Sequence, residues 1–132
     1  MKTLLAVLLC VPLIFMAVGC NSSQAAPVQT MQAFLTAFTT KDENTLISLT
    51  CKEWTDQALL EYDSFGNVTT ELKDVSCKLV SQTTNSQGET VYSVNCSGAI
   101  AASYNGELRT FDLGKRVYLV VDRGGSLQVC GY

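Results

Sequence analysis

Histidine is absent from all 132 residues, proline occurs twice and tryptophan once. The first absence excludes most. Histidine is the side chain that titrates near neutral pH and the commonest metal ligand, so the usual general acid–base and the usual zinc donor are both missing. The chain also lacks a phosphate-binding glycine loop, a nucleophile elbow and an HExxH sequence. No block of like charge occurs either. Nine basic and twelve acidic residues leave a net charge of −3, which argues against nucleic acid or an anionic lipid surface as partner. Asp56, Glu61 and Asp63 read as the exposed acidic face of a helix rather than a calcium site. No cofactor, no metal and no enzymatic activity is therefore expected.

What is present begins with an export signal. Lys2 gives a positive start, Leu4 to Val18 is apolar and uncharged, and Ala17, Val18 and Gly19 are small residues at a cleavage point. The apolar run falls short of the roughly 20 residues that cross a hydrocarbon core. Ala17-Val18-Gly19-Cys20 resembles a bacterial lipobox. That resemblance implies removal of residues 1–19, acylation of Cys20 and anchoring on the extracytoplasmic side of the cell membrane. Each acyl methylene contributes about 0.8 kcal/mol, so two or three chains hold the protein on the lipid. The remaining 113 residues carry eight basic and twelve acidic side chains, since only Lys2 is lost. They suffice for one domain.

Residues 20–26 are small and polar and read as a tether, followed by a domain over 27–132. Pro27 suits a first helical position, and Val28, Met31, Phe34, Leu35 and Phe38 recur at helical spacing to about Thr39. Asp42 suits the N-cap of a second helix carrying Leu46, Ile47 and Leu49. Thr50-Cys51-Lys52-Glu53 has the spacing of a capping box, which starts a third helix near Cys51 with Trp54, Ala58, Leu59 and Tyr62 inward.

After Asn67 the period becomes alternating and β-branched residues accumulate. Four strands are predicted, over about Lys73–Gln82, Glu89–Tyr104, Glu107–Asp122 with a bend at Gly114, and Ser126–Gly131. Asn105-Gly106 is a type I′ hairpin signal. The whole reads as α+β, with N-terminal helices packed on one face of a four-stranded antiparallel meander. Hairpin arithmetic places Cys77, Leu79, Val94, Cys96, Val117, Leu119, Val121, Leu127 and Val129 on the face beneath the helices.

Besides Cys20, the exported part contains Cys51, Cys77, Cys96 and Cys130. An even number in a small exported chain favours disulfides. Zinc is the alternative, and no two of the four lie within a short knuckle. The first hairpin sets Cys77 directly opposite Cys96. A bond from Cys96 to Cys130 has to cross an intervening strand, roughly 10 Å, which leaves Cys51 with Cys130. Simple alternation turns Cys130 to the wrong face, so a bulge or fray must bring it round.

Met31-Gln32-Ala33-Phe34-Leu35-Thr36-Ala37-Phe38, then Lys41-Asp42 and Leu46-Ile47-Ser48-Leu49, and finally Val117 to Asp122 with Leu127 to Tyr132, resemble the NTF2-like superfamily, cystatin-like α+β cones that include many bacterial lipoproteins. Leu127 stands where that family usually has Trp. The resemblance implies a cavity between helices and sheet, with Trp54, Tyr62, Tyr92, Tyr104 and Tyr118 at its mouth and Arg109 placed for an anion. It implies a membrane-anchored binding or interaction module for an envelope protein or a small apolar ligand. A cryptic enzyme of the same fold, acting on a small apolar substrate, is the alternative.

Overall fold

A computed structural model describes residues 22–132; Cys20 and the segment 1–19 lie outside the described residues. Three helices precede the sheet: α1 (Ser22–Thr40), α2 (Glu43–Ser48) and α3 (Thr55–Ser64). The strands are β1 (Thr69–Thr84), β2 (Thr90–Tyr104), β3 (Glu107–Asp112), β4 (Val117–Arg123) and β5 (Ser126–Gly131), with a one-turn 3-10 helix (Leu113–Lys115) between β3 and β4. The chain is α+β, with every strand pairing antiparallel.

Met31, Phe34, Leu35 and Phe38 form the buried stripe of α1, and burial of each such side chain stabilises by about 1.5–3 kcal/mol. The helix lies across β1, β2, β4 and β5. It begins at Ser22 rather than Pro27, so most of the stretch read as a tether is helical. Ala25 and Ala26 have high helix propensity, and Pro27 so near the start forfeits a single backbone bond. At the other end the N–H of Asp42 bonds to the carbonyl of Ala37 at 3.0 Å, a Schellman closure. Lys41 occupies its left-handed position, with φ 64°, where glycine is usual. Two bonds hold it there: the Lys41 ammonium donates to the Phe65 carbonyl at 2.6 Å, and the Tyr62 hydroxyl donates to the Lys41 carbonyl at 3.0 Å. Burial lowers the pKa of this lysine.

Asp42 then caps α2, accepting from the N–H of Thr45 at 3.1 Å and from its hydroxyl at 2.7 Å. The capping box predicted at Thr50–Glu53 does not form. The Thr50 hydroxyl donates to the Leu46 carbonyl at 2.7 Å, and the Cys51 N–H goes to the Val129 carbonyl at 2.9 Å. With its neighbours, Thr50 runs parallel to β5 as a single bridge. That bridge covers part of an edge that would otherwise present free backbone groups. Helix α3 accordingly starts at Thr55, with Trp54 at its N-cap, and Glu53 pairs with Arg123 at 2.9 Å instead.

The sheet has five strands where four were predicted. The expected third strand is interrupted at Leu113, which turns inward and is buried, while the Asp112 carboxylate accepts from the N–H of Gly114 at 2.8 Å. Both parts pair with β2, β3 along Ala99–Tyr104 and β4 along Thr90–Asn95. The interruption also shifts the register of β4. Tyr118 pairs with Val94, and Val120 with Tyr92 and Val129, so Tyr118 and Val120 face the helices. Val117 and Leu119, predicted inward, are 42% and 37% exposed. A one-residue slip exchanges the two faces of a strand.

Both predicted disulfides are present, Cys77–Cys96 and Cys51–Cys130. Cys77 and Cys96 are direct cross-strand partners. Between β4 and β5 the register moves from Leu119↔Gly131 to Val120↔Val129, so Cys130 is the extra residue of a bulge and turns toward Cys51. Two more register shifts fall in β1. At the first, Gly98 with φ +91° lies so close to β1 that a Cβ would stand 2.5 Å from the Lys73 carbonyl oxygen.

Candidate ligand cavity

A cavity of about 620 Å³ lies between the helices and the half of the sheet built from β2, β3 and the start of β4. Its position follows from the break at Leu113. Strands β3 and β4 each cover only part of β2, and the 3-10 turn between them forms one wall. The apolar lining comes from Phe34, Leu35 and Phe38 of α1, Phe65 after α3, Ile100 of β2 and Leu113. Phe65 meets both Phe38 and Phe111 edge-on, at 5.4 and 5.0 Å. These side chains fill the floor without closing the space above it.

The polar groups gather on one side. Glu61 of α3 accepts from Arg116 Nη1 at 3.1 Å through Oε2, and from the Tyr132 hydroxyl and Gln57 Nε2 through Oε1. Arg116 lies over the Tyr132 ring, 3.9 Å from its centroid, an arrangement that adds cation–π attraction to the ion pair. Tyr132 meets Trp54 and Tyr118 edge-on, at 5.7 and 6.0 Å, so three aromatic rings, a carboxylate and a guanidinium form one connected cluster. Burial foremost raises the pKa of Tyr118, with Arg116 opposing and the Glu61 charge adding to it. The hydrogen bond to Glu61, and then burial, raise that of Tyr132. Both phenols therefore stay protonated across the neutral range.

Of the six residues proposed for a cavity mouth, Trp54, Tyr104 and Tyr118 line the space. Tyr62 packs on Phe38 and bonds to the Lys41 carbonyl. Tyr92 packs against the core from the half of β2 that β4 covers. Arg109 stands exposed on β3, 3.7 Å from Glu107 and 5.4 Å from the Tyr104 ring centroid. Neither those two tyrosines nor this arginine lines the cavity. The residues missed were Glu61, Arg116 and Tyr132. They come from three distant segments, and no local spacing marks them.

Chemically the cavity is suited to enclosing an apolar body. A general base needs an accessible carboxylate; both Glu61 oxygens are engaged, while Asp112 is exposed and gives only Oδ1 to the Gly114 N–H. Among the described residues no three His, Cys, Asp or Glu side chains gather as for a metal ion, and no helix is long and apolar enough to cross a membrane. No family model, curated protein or solved structure matches this chain.

Proposed function

We propose that this protein is a lipid-anchored extracytoplasmic module that holds a small, largely apolar ligand between its helices and its sheet. The observation that carries the reading is the cavity itself. Its volume of about 620 Å³ lies within the roughly 300–1,000 Å³ of small-molecule sites, and its apolar floor with polar groups on one side is their usual make-up. The two disulfides suit an oxidising compartment, in keeping with the lipobox resemblance at Cys20. Three helices followed by an antiparallel sheet with a space between them support the NTF2-like reading. The cryptic enzyme of the same fold is less well supported, because both Glu61 oxygens are engaged and Asp112, the other lining carboxylate, is exposed to water.

Trp54 is the sole tryptophan and lies in the cavity wall, so its emission reports occupancy. Protein isolated from its own membranes should carry an extractable small molecule, detected by native mass spectrometry, whose removal and return shift Trp54 emission reversibly. An emission indifferent to extraction and to a panel of apolar compounds rejects the binding reading. The anchor is tested by the N-terminal peptide mass: acylated Cys20 is expected, and an unmodified full-length chain removes it.

A further inference from the structure

Resting on that reading, we infer that the ligand is an amphipathic carboxylate, its apolar body on the floor of the cavity and its charged head against Arg116 and Lys115. The inference comes from counting which hydrogen-bonding groups at the cavity are already used. Four charged side chains belong to the lining: Glu61, Asp112, Lys115 and Arg116. The carboxylates spend acceptor capacity inside the protein. Both Glu61 oxygens are taken, by Arg116 on one side and by Tyr132 and Gln57 on the other, whereas Asp112 accepts from the Gly114 N–H through Oδ1 alone and keeps Oδ2 free.

The cations are in the opposite position. A guanidinium has five N–H donors and an ammonium three. Arg116 gives one nitrogen, Nη1, to Glu61. Among the described residues its remaining donors, and all those of Lys115, have no protein acceptor. Arg116 and Lys115 thus hold more unused donors than the one free Asp112 oxygen offers as acceptor, and an acceptor-rich anion complements them.

Arg116 is also held in place. Glu61 fixes one edge of the guanidinium and the Tyr132 ring supports one face, so less rotamer freedom remains to be lost when an anion binds. A planar carboxylate matches the free edge in bidentate fashion. The opposite polarity fits less well, because a cationic head would meet Lys115 and Arg116 while both Glu61 oxygens are occupied and only one Asp112 oxygen is free to receive it. A neutral head would leave the strongest donors to water.

The test uses full-length protein reconstituted in phosphatidylcholine vesicles, with Trp54 emission as readout. Three probes share one body and differ in the head: 4-cyclohexylbutyrate, 4-cyclohexylbutanol and 4-cyclohexylbutylamine. Half-saturation by the carboxylate is expected at a concentration about tenfold below that of the other two, the effect of a charge-assisted bond. Arg116→Gln should reduce that advantage to about threefold or less. If circular dichroism shows that this variant has not folded, Lys115→Gln takes its place, with a loss of about two- to threefold expected. Equal binding of the three probes, tighter binding of the amine, or a carboxylate preference that survives in the folded variants overturns the head-group assignment and leaves the cavity reading standing. Silence of Trp54 toward all three overturns the cavity reading, and this inference with it.

Discussion

The indole of Trp54 meets the ring of Tyr132 edge-on, with centroids 5.7 Å apart and planes at 89°, and the two residues follow closely on the bonded pair Cys51 and Cys130. The disulfide thus fastens both segments that carry this side of the cavity. Replacing Cys51 and Cys130 together by Ala should cost about 4.5 kcal/mol in the chain-entropy account, against about 3 kcal/mol for Cys77 with Cys96, because the first closes the longer loop. Only the first pair of substitutions should also red-shift Trp54 emission under native conditions. Urea denaturation followed by fluorescence checks both, and identical native emission in the two variants would show that Trp54 does not depend on the Cys51–Cys130 bond.

Gly98 and Gly88 both have positive φ, +91° and +80°, but only Gly98 has backbone in the way, with the Lys73 and Asp74 carbonyl oxygens 2.5 and 2.6 Å from an added Cβ. Gly88→Ala should cost about 1–2 kcal/mol from conformation alone. Gly98→Ala adds the clash and should exceed about 3 kcal/mol. Comparable urea midpoints for the two variants would contradict the close approach of β1 and β2 at that bulge.

The Thr45 hydroxyl first, and then its N–H, lower the pKa of Asp42. A depressed carboxylate contributes stability above its unfolded pKa and loses it as pH falls through the folded one. Asp42→Ala should therefore lower the thermal midpoint at pH 7, and the gap from wild type should close toward pH 2. A gap that stays constant with pH would mean the Asp42 charge has no part in capping α2.

Tyr118 behaves in the opposite direction, since burial raises its pKa. A raised phenol contributes stability below its unfolded value near about 10, and that stability is lost as pH rises through the folded one. Tyr118→Phe should flatten the alkaline fall in stability. It should also remove one late step from the tyrosinate absorbance titration of the native protein. Ionisation of all five tyrosines together near the unfolded value would refute the burial argument.

The features legible along the chain were those set by neighbours in sequence. The stripe Met31, Phe34, Leu35 and Phe38 has helical spacing whatever it packs against. Asn105-Gly106 turns where expected, with φ of 50° and 86°, and the preceding hairpin, centred between Ser86 and Gln87, set Cys77 opposite Cys96. Asp42 bonds three residues ahead of itself. Thr50–Glu53 shows where local logic failed, because the Cys51 amide found the Val129 carbonyl and a long-range backbone bond displaced the local cap. Likewise the inward turn of Leu113 shifted β4 by one residue, so Tyr118 and Val120 are buried where Val117 and Leu119 were predicted, while Val121, also predicted inward, is buried.

The sequence by itself determined the order of helices and hairpins and which cysteines are joined, because turn geometry and hydrophobic period act over a few residues. Only the tertiary structure decided that the sheet breaks at Leu113, that a cavity opens there, and that Glu61, Arg116 and Tyr132 meet at its side. The physical reason is separation along the chain: Tyr132 reaches a carboxylate 71 residues away, and no local propensity encodes a contact that packing alone creates.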